Sequence, residues 1–151
     1  MKVSDMDDHP ALQGWPSRHG ELLIGGVPVT SLALRVGQTP FFAYDRARVE
    51  TRIAELRAHL PGNLNLHYAI KANPMAALVC FLTPRVNGFD VASAGELTKA
   101  LDAGMPPEKI DFAGPGKTDQ ELTQALAAGV LIEIESAGEL FRLETIASGM
   151  G

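Results

Sequence analysis

The chain has 151 residues, 46% of them hydrophobic and 21% charged, with 15 Gly and 10 Pro. That length suits one domain of ordinary size, and the composition is globular: too apolar for a disordered chain, too rich in Gly and Pro for a coiled coil. Thirteen basic against 18 acidic residues give a net charge of −5 with no basic cluster, which argues against nucleic acid as a partner.

Residues 1–17 are expected to form a flexible N-terminus. They begin MKVSDMDDHP, polar and acidic, without the apolar stretch of a signal peptide. Residues 18–45 read as β-rich. Glu21–Ile24 and Val27–Val29 flank Gly25-Gly26, a hairpin turn signal. A short helix over Ser31–Val36 stops at Gly37, and Phe41–Tyr44 carries an aromatic strand signal after Thr39-Pro40. Asp45 caps a predicted helix running to about Leu60, with Val49, Ile53, Leu56 and Leu60 at helical spacing and Pro61-Gly62 as its stop.

Strand and helix then alternate four times. The predicted strands are Leu64–Lys71, Gly88–Ser93, Ile110–Gly114 and Val130–Ser136. The predicted helices are Pro74–Thr83, Ala94–Ala103, Asp119–Ala128 and Ala137–Ser148. The first of these holds the longest apolar run, Ala76–Leu82, far short of the roughly 18 residues of a bilayer span, so no membrane partner is expected. It also holds the single cysteine, Cys80, read as inert on an apolar helix face. One cysteine excludes an internal disulfide and a multi-cysteine metal site, so the expected metal complement is none and the expected compartment is the cytoplasm.

Punctuation supports the same elements. Ser93–Glu96, Thr118–Glu121 and Ser136–Glu139 all fit S/T-x-x-E, in which hydroxyl and carboxylate each satisfy a free helix amide. Asn73-Pro74 reads as a helix start with Pro at the first helical position, and Gly104, Gly129 and Gly149 sit at expected helix ends. The pentapeptide SAGEL occurs twice, at 93–97 and 136–140, which reads as repeated local physics: strand end, cap, helix. Tyr68, Phe89, Phe112 and Ile132, taken as equivalent strand positions, lie 21, 23 and 20 residues apart. Repeated βα units at such spacing give a parallel sheet.

The strand faces choose between a barrel and an open, doubly wound sheet. Leu64, Leu66, Tyr68 and Ile70 alternate with Asn65, His67, Ala69 and Lys71. Phe89 and Val91 oppose Asp90 and Ala92, and Ile132 and Ile134 oppose Glu133 and Glu135. A sheet covered by helices on both sides is apolar on both. One apolar and one polar face instead fits helices on one side and a barrel lumen on the other. The expected fold is therefore α/β: a partial (β/α)8 barrel over residues 46–151, since a closed one needs eight units and roughly 250 residues.

Lys71 stands at the end of an apolar strand, at what would be the catalytic mouth of a barrel. Partial desolvation there favours the neutral amine that a Schiff base needs. The plainer reading is a surface lysine in a loop. Asp90 points into the same lumen from the next strand. His67 shares the face of Lys71, as a satisfied core histidine or a weak cofactor contact. Glu96 is either a capping-box glutamate or part of a site wall, and Glu135 is either a site wall or solvated. Tyr44 and Tyr68 read as packing.

Tyr68-Ala-Ile-Lys-Ala-Asn-Pro74 resembles the cofactor-lysine motif of the fold-type III, alanine racemase-like pyridoxal-phosphate decarboxylases of group IV, such as diaminopimelate and ornithine decarboxylase. Gly88–Leu97, Phe112–Lys117 and Ile134–Ser136 resemble the blocks that follow, and Gly20–Leu22 and Thr39–Asp45 resemble the family's N-terminal segment. The resemblance covers about residues 18–148, and its wording looks closest to the branch associated with exosortase systems. It implies pyridoxal 5'-phosphate as cofactor, Lys71 as its Schiff-base lysine, Asp90 and Glu96 at acidic positions near that lysine, an amino-acid substrate of the diaminopimelate, ornithine or lysine type, and a homodimer. It also implies that the family's glycine-rich phosphate loop and C-terminal β-domain lie beyond residue 151, and that residues 18–45 belong to that β-domain. A racemase of the same fold, a small pyridoxal-binding barrel protein and a non-catalytic remnant are the alternatives. On this reading the 151-residue polypeptide alone is expected to be marginally stable, prone to associate and inactive.

Overall fold

Gly25 and Gly26 both adopt positive φ, and the turn they make joins β2 (Glu21–Ile24) to β3 (Val27–Pro28) as a hairpin. A two-residue β1 (Ser17–Arg18) pairs antiparallel with β2 on its other side. These coordinates are a computed structural model in which residues 14–150 are described. Most of the expected flexible terminus, residues 1–13, lies outside the described residues. At its described end, the Arg48 guanidinium stacks 4.0 Å from the Trp15 ring and donates to the Gly14 carbonyl at 2.6 Å.

Helix α1 (Val29–Val36) begins two residues before the predicted start and closes on Gly37 at φ 76°, a left-handed conformation that glycine adopts without strain. The aromatic segment Phe41–Tyr44 is not a strand, contrary to the sequence signal. Strand propensity reports fit to a half-buried pleated surface, and here no strand pairs with the segment among the described residues. Phe42 is accordingly 92% exposed. Helix α2 (Arg46–His59) forms as its cap predicts. Asp45 Oδ1 accepts the Ala47 amide at 2.9 Å, and Oδ2 accepts the Gly25 amide at 3.1 Å, so one carboxylate starts the helix and braces the hairpin turn. Two compact units result, residues 1–56 and 57–151, divided inside α2.

The second unit repeats strand and helix four times: β4 (His67–Ala69), α3 (Ala76–Leu82), β5 (Gly88–Val91), α4 (Ala94–Asp102), β6 (Ile110–Phe112), α5 (Asp119–Ala128), β7 (Leu131–Ile132) and α6 (Ala137–Met150). All four strands are parallel, in the order β4-β5-β6-β7. A strictly sequential order with a helix after every strand is an arc of a (β/α)8 barrel, because a doubly wound sheet reverses its order part-way. Phe89, Val91, Ile110 and Phe112 are fully buried, as are Val79, Ala100, Leu122 and Ala125 on α3 to α5, while Asp90 and Asp111 on the opposite sheet face are half-exposed. Each buried phenylalanine contributes about 1.5–3 kcal/mol by leaving water.

The strands are shorter than predicted. β4 stops at Ala69 because Ile70–Ala72 curls into a 3-10 turn, and Leu64, outside the strand, is exposed. The register also corrects the assumed equivalence of Phe89 and Phe112. Phe89 lies level with Tyr68 on one side and Ile110 on the other, whereas Phe112 lies level with Val91. The two-residue offset preserves which face each side chain takes, as barrel stagger requires. Helix α3 starts at Ala76, so Pro74 is not its first residue. Asn73 Oδ1 instead accepts the Met75 amide at 3.0 Å, a local turn that precedes the helix. Gly149 falls inside α6, since a glycine permits a stop without imposing one.

Candidate active site at the strand ends

Lys71 sits in the 3-10 turn that follows β4, and its side chain is exposed. The partial desolvation expected for it is not supplied by the described residues. The turn itself is held firmly. Ile70 beside it is fully buried, the Asn73 amide donates to the Ile70 carbonyl at 3.1 Å, and the Tyr68 hydroxyl donates to the Asn73 carbonyl at 3.2 Å. Tyr68, read from sequence as packing, also packs edge-on against Phe89 with ring centroids 6.3 Å apart. A packed anchor on either side thus presents an uncovered lysine.

Asp90 is level with Ala69 on β4 and with Asp111 on β6, so it lies on the polar face beside the strand that leads to Lys71. Neither the Lys71 nor the Asp90 side chain has a hydrogen-bond or ion-pair partner among the described residues. An amine and a carboxylate left unpaired at adjacent strand ends suit a ligand with an aldehyde and a cationic group.

The other acidic candidates are already engaged. Ser93 Oγ accepts the Glu96 amide at 3.3 Å and so caps α4, while Glu96 Oε2 accepts the Ala92 amide at 2.8 Å, one residue before the cap. Glu135 accepts the Gly114 amide and so fastens the loop after β6 to the segment after β7. Glu121 completes the Thr118 capping box and also accepts the Ala94 amide at 3.1 Å. The Thr118 amide is the main influence holding its carboxyl below the ordinary range, with burial opposing and the Ala94 amide, the Thr118 hydroxyl and Lys117 adding to the lowering.

Three residues with structural prominence were not singled out from sequence. Asp111 Oδ2 lies 2.6 Å from His67 Nδ1, so His67 is a partnered histidine on the lumen face. Its signal was present: Ile110-Asp-Phe112 repeats the apolar–acid–apolar pattern of Phe89-Asp-Val91. Lys117 and Glu139 form a fully buried ion pair at 2.8 Å. Lys117 Nζ also donates to the carbonyls of Gly114 at 2.8 Å and Glu133 at 2.6 Å, and Glu139 Oε2 accepts the Glu135 amide at 2.9 Å. Burial pushes the Glu139 carboxyl up. The Lys117 hydrogen bond, the Glu135 amide and the charges of Lys117 and Arg142 outweigh burial and hold it low.

Residues 46–150 match the family model described as pyridoxal-dependent decarboxylase, pyridoxal binding domain. The chain belongs to this family. Its cofactor is pyridoxal 5'-phosphate. A diaminopimelate decarboxylase of Aquifex aeolicus is 42% identical over 135 residues, covering 89% of this chain and 32% of that protein. The crystal structure of AQ1208 from Aquifex aeolicus matches 99% of this chain and 36% of its own at 37% identity and a TM-score of 0.83. Helicobacter pylori diaminopimelate decarboxylase complexed with L-lysine matches 81% of this chain and 32% of its own, with 34% identity and a TM-score of 0.73. The chain spans about a third of the length of these relatives. Among the described residues, no helix is long and apolar enough to cross a membrane.

Proposed function

We propose that these residues form the lysine-bearing part of the active site of a pyridoxal-phosphate-dependent decarboxylase acting on a diaminopimelate-like amino acid. The observation that carries this reading is the pair of unpartnered side chains, Lys71 on a turn held by the Ile70–Asn73 and Tyr68–Asn73 hydrogen bonds and Asp90 on a strand paired on both sides. They fit the cofactor's needs: a primary amine for its aldehyde and a carboxylate beside that amine. Bound pyridoxal phosphate supplies an electron sink for the pair of electrons left on Cα when carbon dioxide departs.

Lys71 Nζ would hold the cofactor's aldehyde, and Asp90 would stabilise the lysine ammonium whenever that amine is free, since an opposite charge nearby favours the charged form. The Tyr68–Asn73 hydrogen bond and buried Ile70 keep the Lys71 backbone fixed while its side chain changes partner. Glu135 and Lys117 brace the neighbouring loop after β6. In an enzyme that joins these residues to the rest of the barrel and is loaded with pyridoxal phosphate, carboxyl-labelled diaminopimelate is expected to release labelled carbon dioxide, and Lys71→Ala is expected to abolish release. Inversion at Cα without carbon dioxide release would identify a racemase and overturn the proposal.

A further inference from the structure

The place where Gly88 would carry a side chain is filled by its neighbours, and glycine's conformational freedom does not explain the residue, since its φ is not positive. A Cβ built there would lie 2.6 Å from His67 Cε1, 2.8 Å from His67 Nε2 and 2.3 Å from the Lys109 carbonyl oxygen. The missing side chain lets the imidazole lie across β5. From β4 it thereby reaches Asp111 on β6, two strands away, at 2.6 Å. Asp111 is itself the register neighbour of Asp90. Two carboxylates therefore stand side by side on the polar face, one bonded to an imidazole and one free.

We propose that His67 and Asp111 are a positioning pair that keeps Asp90 the one uncompensated carboxylate beside Lys71. This rests on the reading of Lys71 as the cofactor lysine. Like charges directly opposite on neighbouring strands repel. A hydrogen bond from His67 Nδ1, which both the neutral Nδ1–H tautomer and the imidazolium can donate, engages the Asp111 carboxylate and draws its charge away from Asp90. Asp90 is then free to answer to Lys71 alone. The charged groups that bear on this face from the surrounding elements are Lys71 after β4, Asp90 on β5, Lys109 just before β6, and Glu133 and Glu135 after β7. Glu135 is occupied by the Gly114 amide. Neither His67 nor Asp111 is placed in contact with substrate, so the role is positional.

The test is a pH titration of the bound cofactor's visible absorbance in the loaded protein, with borohydride trapping and peptide mapping as a control for attachment at Lys71. His67→Leu removes the donor, and His67→Asn is too short to reach Asp111. Both are expected to move the acid limb of the titration upward by roughly one pH unit. His67→Gln, whose amide can still donate, and the double variant His67→Leu/Asp111→Asn, which removes the charge along with its partner, are expected to titrate like the parent. If His67→Leu does not fold, His67→Asn carries the test. An unmoved limb in the removal variants, or a double variant that stays shifted, would overturn the pairing role while the trapped Lys71 adduct is retained. Absence of the adduct from the parent protein would overturn the cofactor reading instead.

Discussion

At the scale of single residues, the most demanding interaction is the buried Lys117–Glu139 pair. A buried ion pair replaced by apolar residues is often neutral in stability, but breaking one by removing a single partner is costly. Lys117→Met is therefore expected to destabilise by about 3–5 kcal/mol in urea unfolding. The double variant Lys117→Met/Glu139→Leu is expected to recover only part of that loss, because the Gly114 and Glu133 carbonyls and the Glu135 amide lose partners as well. Glu139 also has a pH signature. Its carboxyl is lowered in the folded protein, so the unfolded chain binds the proton first. The pair's contribution is present above the ordinary glutamate value of 4.5 and is lost as pH falls below it. The acid side of the stability curve is expected to be shallower in Glu139→Gln than in the parent. Neither Lys117–Glu139 nor His67–Asp111 was legible as a contact in the sequence. The first joins residues 22 apart. The second depends on the two-residue stagger of β6 and on a side chain being absent at Gly88.

At the scale of elements, the helices were far more legible than the strands. Each S/T-x-x-E motif states a helix start in four residues, and its hydroxyl half appears at all three: Ser93 Oγ, Thr118 Oγ1 and Ser136 Oγ each accept the amide of the glutamate three residues on. The reciprocal carboxylate bond is made at Thr118–Glu121, while Glu96 and Glu139 accept the amides of Ala92 and Glu135 instead. Thr118→Ala is expected to cost about 1 kcal/mol in urea unfolding. Glu121→Ala is expected to cost more, because that carboxylate also serves the Ala94 amide at the start of α4. Strand signals, by contrast, overran. Alternation continues through Leu64 and Ile134, but a ladder persists only where the neighbour also continues, and β4 and β7 are the outer strands of the sheet. Phe41–Tyr44 failed for the same reason. Lys71 was legible as a candidate because its flanking residues are distinctive, yet its 3-10 turn was not, since nothing in Ile70-Lys-Ala72 breaks the preceding alternation.

For the whole molecule, the four βα units leave apolar surface uncovered. Phe141 is 71% exposed on α6, Leu131 is 59% exposed on β7, and Ile134 and Leu140 nearby in sequence are also exposed. Unpaired outer strands and apolar side chains of this kind promote association. Polypeptide 1–151 purified alone is expected to sediment as larger species, and Phe141→Glu is expected to reduce that without loss of helical circular dichroism. The central claim concerns one amine on this arc. The measurement that tests it most directly is borohydride reduction in the presence of pyridoxal phosphate, followed by mass-spectrometric peptide mapping of the protein and of its Lys71→Ala variant. A pyridoxyl adduct confined to the peptide containing Lys71, and absent from the variant, is the predicted result. Adducts spread over surface lysines and unchanged in Lys71→Ala would contradict it.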